Sequence, residues 1–159
     1  MKITILCVGK IKERYWKDAI AEYTKRLSRY VKLDIMEVSD EKTPEGASAA
    51  VEEQIREKEG ERLLRVLRED SYVITLEILG KKVSSEQFSE KLEQLGISGE
   101  SHVTFLIGGS LGLAESVRKK ADYRLSFSDM TFPHQMMRVI LLEQIYRGFR
   151  IMNHEPYHK

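Results

Sequence analysis

Three stretches of this chain hold residue types whose spacing could do chemistry. The first is Gly108-Gly109-Ser110-Leu111-Gly112, which fits G-x-S-x-G, the strained turn that presents a nucleophilic serine. A hydrolase would also need a later acid and a histidine, which Asp122, Asp129, His134, His154 and His158 nominally supply. The chain is short for such an enzyme, and a five-residue pattern with two variable places recurs by chance. The turn does not match G-x-G-x-x-G, and no acid about 20 positions on ends a second strand, so a nicotinamide site is not indicated. A loop whose missing Cβ lets a ligand approach the backbone fits better. The second stretch is the tail, where His154 and His158 have a ligand-like spacing. No cysteine pair or second acid cluster accompanies them, so no metal is expected.

The third is Arg138, within the long apolar run His134 to Met152. At 100° per residue it shares a face with His134, Leu141, Leu142, Ile145, Phe149 and Met152. Glu143, Arg147 and Arg150 lie opposite, with Glu143 and Arg147 spaced for an i, i+4 pair. A guanidinium on an apolar face needs partners for five donors. Three roles are open: an ion pair across a dimer interface, a stem that snorkels outward, or a grip on RNA phosphate or cofactor. Met136 and Ile140 make the helix apolar nearly all round, which predicts burial on more than one side, as in a homodimer.

These residues must be positioned by the elements between them. The pattern predicts strands over Lys2–Val8, Val31–Val38, Tyr72–Leu79 (closed by Gly80), Val103–Ile107 and Arg124–Phe127. It predicts helices over Lys12–Ser28, Ser48–Arg68 (its apolar stripe interrupted at Gly60), Ser84 or Ser85 to Leu95, Leu113–Ala121 and His134–Met152. Asp40–Gly46 reads as a polar loop and Asn153–Lys159 as a tail. Alternating strands and helices imply an α/β fold, a mostly parallel sheet with helices on both faces, as a single domain over 1–159. Ligands of such sheets gather beyond the carboxyl ends of the strands, here Leu76–Gly80, Gly108–Gly112 and Phe127–Phe132.

The bulk properties are those of a cytoplasmic globular protein: 159 residues, 42% hydrophobic and 32% charged. No apolar run approaches the roughly 20 residues of a membrane span, and the start has no signal-peptide architecture. The lone Cys7 sits in an apolar strand and reads as a small core residue. The net charge is +1, but Arg118 to Lys159 holds eight Lys/Arg against four Asp/Glu. That bias permits nucleic-acid binding without requiring it.

Leu125-Ser126-Phe127-Ser128-Asp129-Met130-Thr131-Phe132-Pro133-His134-Gln135, the ending Glu155-Pro156-Tyr157-His158-Lys159, Ile107-Gly108-Gly109-Ser110 and the opening Val8-Gly9-Lys10 together resemble the ribosomal RNA large subunit methyltransferase H family of the SPOUT superfamily. The resemblance runs the whole length. It implies a C-terminal trefoil knot, an exception to unknotted connectivity, and a homodimer with the active site at the subunit interface. The implied reaction is methylation of N3 of a pseudouridine in 23S rRNA of the assembled ribosome, with S-adenosylmethionine as donor. The family's cofactor loops fall on Leu76, on Gly108, and on Phe127, Ser128, Asp129, Met130, Thr131 and Phe132. Gly108 is expected to let the backbone approach the cofactor, and the apolar side chains to hold adenine, with no catalytic use for the Asp129 charge. N3 must lose a proton before it attacks, so a base or an anion stabiliser is needed. His158 and Tyr157 are the catalytic candidates, and Lys159 and Arg138 the RNA contacts. Many family members carry arginine at the position of Lys159, which removes a planar two-pronged donor there. Two other readings remain: a dimeric RNA-binding module without catalysis, and a hydrolase using Ser110.

Overall fold

Apolar residues alternate along β1 (Lys2–Val8) so that Ile3, Ile5 and Cys7 face one side of a sheet and Leu6 and Val8 the other. β4 (His102–Ile107) repeats the pattern, with Val103, Phe105 and Ile107 against Leu106. Both strands must therefore be covered on both faces, and they are the centre of the sheet. The computed structural model describes residues 1–159. Its remaining strands are β2 (Lys32–Val38), β3 (Tyr72–Lys82) and β5 (Tyr123–Ser126), in the order β2-β1-β4-β3-β5, every pair parallel.

Parallel neighbours require crossover helices, and these divide between the faces. α1 (Arg14–Leu27), α3 (Ser85–Ile97) and α5 (His134–Met152) cover the face of Ile3, Ile5 and Phe105. α2 (Ala49–Val66) and the short α4 (Glu115–Arg118) cover the other, over Leu6, Val73 and Leu106. Ser48 caps α2 by accepting from Val51 N, and Ser84 with Gln87 forms a capping box on α3. Cys7 is a core residue, as expected; burial pushes its thiol up to about 12, beyond use as a nucleophile at neutral pH.

Several boundaries differ from the sequence reading. β3 does not close at Gly80. It breaks register between Leu76 and Lys81, both of which pair with Leu125, and continues to Lys82. A Cβ at Gly80 would stand 2.7 Å from the Leu125 carbonyl carbon, so glycine there allows β3 to cross β5 at close quarters. Gly60 does not interrupt α2; it is the buried point where the helix meets Ala114 and Val117, each 3.1 Å from the place of a Cβ. The predicted helix Leu113–Ala121 contracts to the four residues of α4. No helix is long and apolar enough to cross a membrane.

Candidate functional site

The chain steps from β3 towards β1 to form β4, then crosses back beyond β3 to form β5. The carboxyl ends of these three strands consequently open onto one cleft of about 890 Å³. Leu76 to Leu79 form one wall, Ile107 to Leu113 the floor, and Ser126 to Ser128 with Met130 to Gln135 the other wall. Of the residues expected to hold a cofactor, Leu76, Gly108, Phe127, Ser128, Met130, Thr131 and Phe132 all line it. Asp129 does not: it points outward and pairs with Lys82.

The floor is built by the glycine turn. Gly112 has φ +83°, and Gly109 and Gly112 form an isolated antiparallel bridge. A Cβ at Gly108 would lie 2.6 Å from the Gly112 carbonyl carbon. The turn's own backbone occupies the space of that Cβ, a requirement for glycine separate from the expected approach of a ligand. Ser110 is exposed on the same turn and has no hydrogen bond to any histidine or carboxylate, so the arrangement gives a hydrolase nothing to work with. Beneath the turn lies Glu59, 4% exposed, which sequence reasoning missed. Its Oε2 accepts from Glu41 N at 3.0 Å, while Oε1 has no partner. Burial, then the nearby Asp40 charge, raises its carboxyl above the usual range, although the Glu41 N–H opposes this. The only signal in the sequence was an acid on the stripe between Ile55 and Leu63.

Arg138 is 2% exposed; its two Nη atoms donate inside the chain, while its Nε has no partner. Nη1 pairs with Glu37 Oε2 at 2.5 Å, and Nη2 donates to Gly9 O at 2.6 Å. It was expected among the RNA contacts or across an interface. In this fold it instead ties the start of α5 to the ends of β1 and β2. His134, one turn earlier, lines the cleft; burial and then Arg138 lower its imidazole pKa.

The tail lies elsewhere. α5 ends in a left-handed turn at His154 (φ 54°), and Glu155 N bonds back to Arg150 O at 2.9 Å. Glu155 holds Tyr30 at 2.9 Å and pairs with Arg150. The chain then runs back along the helix. The Tyr157 hydroxyl donates to Glu143 Oε1 at 3.0 Å, with its ring edge-on to Tyr146 and beneath Arg147. Burial and the Glu143 carboxylate push that phenol up to about 12. The expected Glu143–Arg147 pair is present at 2.7 Å. His158 has both ring nitrogens engaged. Arg147 can only donate, so Nδ1 accepts from it at 3.2 Å, and Nε2–H donates to Glu86 Oε1 at 2.7 Å. Lys159 is exposed. His154 is exposed and His158 is turned to Glu86, and no group of three or more His, Cys, Asp or Glu side chains comes together to hold a metal. Met137 is the last residue of α5 to line the cleft and Glu143, six residues on, the first that the tail touches, a rise of about 9 Å. One chain thus keeps its cleft and its tail apart.

Comparison with known proteins agrees with this architecture. The family model described as "Predicted SPOUT methyltransferase" matches residues 1–158. A protein of Methanococcus maripaludis is 64% identical over all of both chains. Relatives from Bifidobacterium adolescentis (61% identical) and Clostridium kluyveri (56%) also match over the full length of both chains. Each of these two is named ribosomal RNA large subunit methyltransferase H. Among solved structures, a tRNA (m1G37) methyltransferase from Aquifex aeolicus superposes with a TM-score of 0.52 at 13% identity, covering 92% of this chain and 70% of that one. A Legionella pneumophila protein solved with bound cofactor SAM gives 0.51 at 10% identity, covering 94% and 66%. At these identities the structures speak for the fold alone.

Proposed function

Since the chain belongs to the SPOUT methyltransferase family, we propose that it transfers a methyl group from S-adenosylmethionine to N3 of a pseudouridine in 23S rRNA of the assembled ribosome, as a knotted homodimer of the cytoplasm. The observation that supports this most is a convergence. Leu76, Gly108 and Phe127 are far apart in sequence, and the family resemblance assigns all three to the cofactor. The carboxyl ends of β3, β4 and β5 bring them to a single cleft.

The residues present fit the cofactor. The cleft volume falls within the roughly 300–1,000 Å³ of small-molecule sites. Leu76, Phe127, Met130 and Phe132 offer apolar surface for adenine, and the backbone of the two loops offers N–H and C=O groups for its edges. S-adenosylmethionine supplies there a methyl group on a sulfonium, open to in-line attack by a deprotonated N3. The chain's own task is to position the base and handle its proton.

Because none of Tyr157, His158 and Lys159 lines the cleft of its own chain, Tyr157 and His158 of one protomer would serve the cleft of the other. Ile78, Leu79 and Met130 at the cleft rim are exposed, Leu79 by 91%, and give a second copy an apolar surface to cover. Tyr157 keeps its proton at neutral pH, which suits donation to a carbonyl of the base. His158 can take the N3 proton only after Arg147 releases Nδ1. Lys159 remains free for phosphate. The test is methyl transfer from labelled S-adenosylmethionine to ribosomes lacking the modification. Label at one pseudouridine of 23S rRNA supports the proposal; label in no RNA overturns it.

A further inference from the structure

Three carboxylates line the cleft: Glu53, Glu77 and Glu115. Glu53 is paired with Arg56 at 2.8 Å, and Glu115 with Arg118. Glu77 differs. Its side chain is only 9% exposed, and its Oε2 accepts from the fully buried Thr75 hydroxyl at 2.5 Å. The nearest cations, Arg124 Nε at 3.7 Å and Arg118 Nε at 3.9 Å, stand beyond hydrogen-bond range. Oε1 therefore has no donor from the chain. Thr75 and the two guanidiniums hold the carboxylate in place, and Glu77 is part of the wall that begins at Leu76.

We propose that Glu77 is a binding residue of this cleft, its free oxygen accepting a hydrogen bond from a ribose hydroxyl or the α-ammonium of the bound cofactor. This rests on the methyltransferase reading above. An ionised carboxylate can only accept, so its ligand must bring a donor. A carboxylate beyond a strand end that takes ribose hydroxyls is a recurring solution in α/β folds. A group already fixed by its neighbours loses little freedom on binding, so the contact contributes most of its strength.

The test is calorimetry of the full-length protein with S-adenosylmethionine, S-adenosylhomocysteine and 5′-methylthioadenosine, the last lacking the amino-acid portion. Glu77→Gln should weaken S-adenosylhomocysteine by about 10- to 100-fold, the range for losing a hydrogen bond to a charged group. An equal loss for 5′-methylthioadenosine places the contact on the ribose. A loss confined to the ligands with an amino acid places it on the ammonium. Unchanged affinity for all three overturns the inference. Should Glu77→Gln fail to fold, Glu77→Asp decides: it keeps the charge beside Arg118 and Arg124 but withdraws the oxygen, so wild-type affinity there also overturns it. A wild-type protein that binds none of the three refutes the methyltransferase reading itself.

Discussion

His158 Nε2 lies 2.7 Å from Glu86 Oε1, a contact that closes the end of the chain onto the first turn of α3. With Nδ1 held by Arg147, the imidazole is a docked anchor in this conformation and has no free lone pair. Any chemistry by the tail then begins with its release or with a rearrangement of Arg147.

Deleting Tyr157 to Lys159 should leave S-adenosylmethionine affinity within a few-fold, because none of these residues lines the cleft. Methyl transfer to ribosomes should fall by about 10²–10⁴, the contribution of acid–base groups. Calorimetry and a transfer assay on the same protein separate the two. Wild-type transfer by the deletion would remove the tail from the mechanism.

Arg138→Met should destabilise the fold by about 3 kcal/mol, the low end for breaking a buried pair, because Glu37 keeps some water contact. The salt dependence of ribosome binding should stay the same, since no phosphate contact is lost. Denaturant unfolding and binding at several salt concentrations check both. Normal stability with a shallower salt slope would return Arg138 to the RNA.

Gly108→Ala should cost about 1–3 kcal/mol, the range for overpacking, because the new Cβ meets the Gly112 backbone. Ser110→Ala should change neither stability nor methyl transfer. A Gly108→Ala protein with normal thermal stability and no cofactor binding would mean that the missing Cβ serves the ligand and not the turn.

Glu59 makes stability depend on pH. Its folded pKa is raised, so the stability it contributes is full below the ordinary carboxyl value and is lost as pH rises through the folded value. Glu59→Gln should therefore raise Tm relative to wild type at pH 8, by roughly 2–4 °C for each kcal/mol relieved, and the advantage should shrink towards pH 4. An advantage that grows in acid would contradict the assignment.

The parallel α/β order was legible because β1 and β4 alternate apolar residues on both faces and turn residues punctuate the chain. The cleft was legible as three loop ends. What could not be read depends on partners distant in sequence. Arg138 finds Glu37 across 101 residues, and Gly80 is set by the passage of β5 across β3. Glu59 reads as one more acid on a charged helix until the glycine turn covers it. Local pattern fixes which residues are apolar, but not which polar group will be enclosed with them.

The placement of the cofactor is tested most directly by amide hydrogen exchange with and without S-adenosylmethionine. Protection should appear in residues 76–79, 107–113 and 126–135, the three segments of the cleft, and should be absent from α1 and β2. Protection centred on α1 or β2, or no change anywhere at saturating cofactor, would contradict the account.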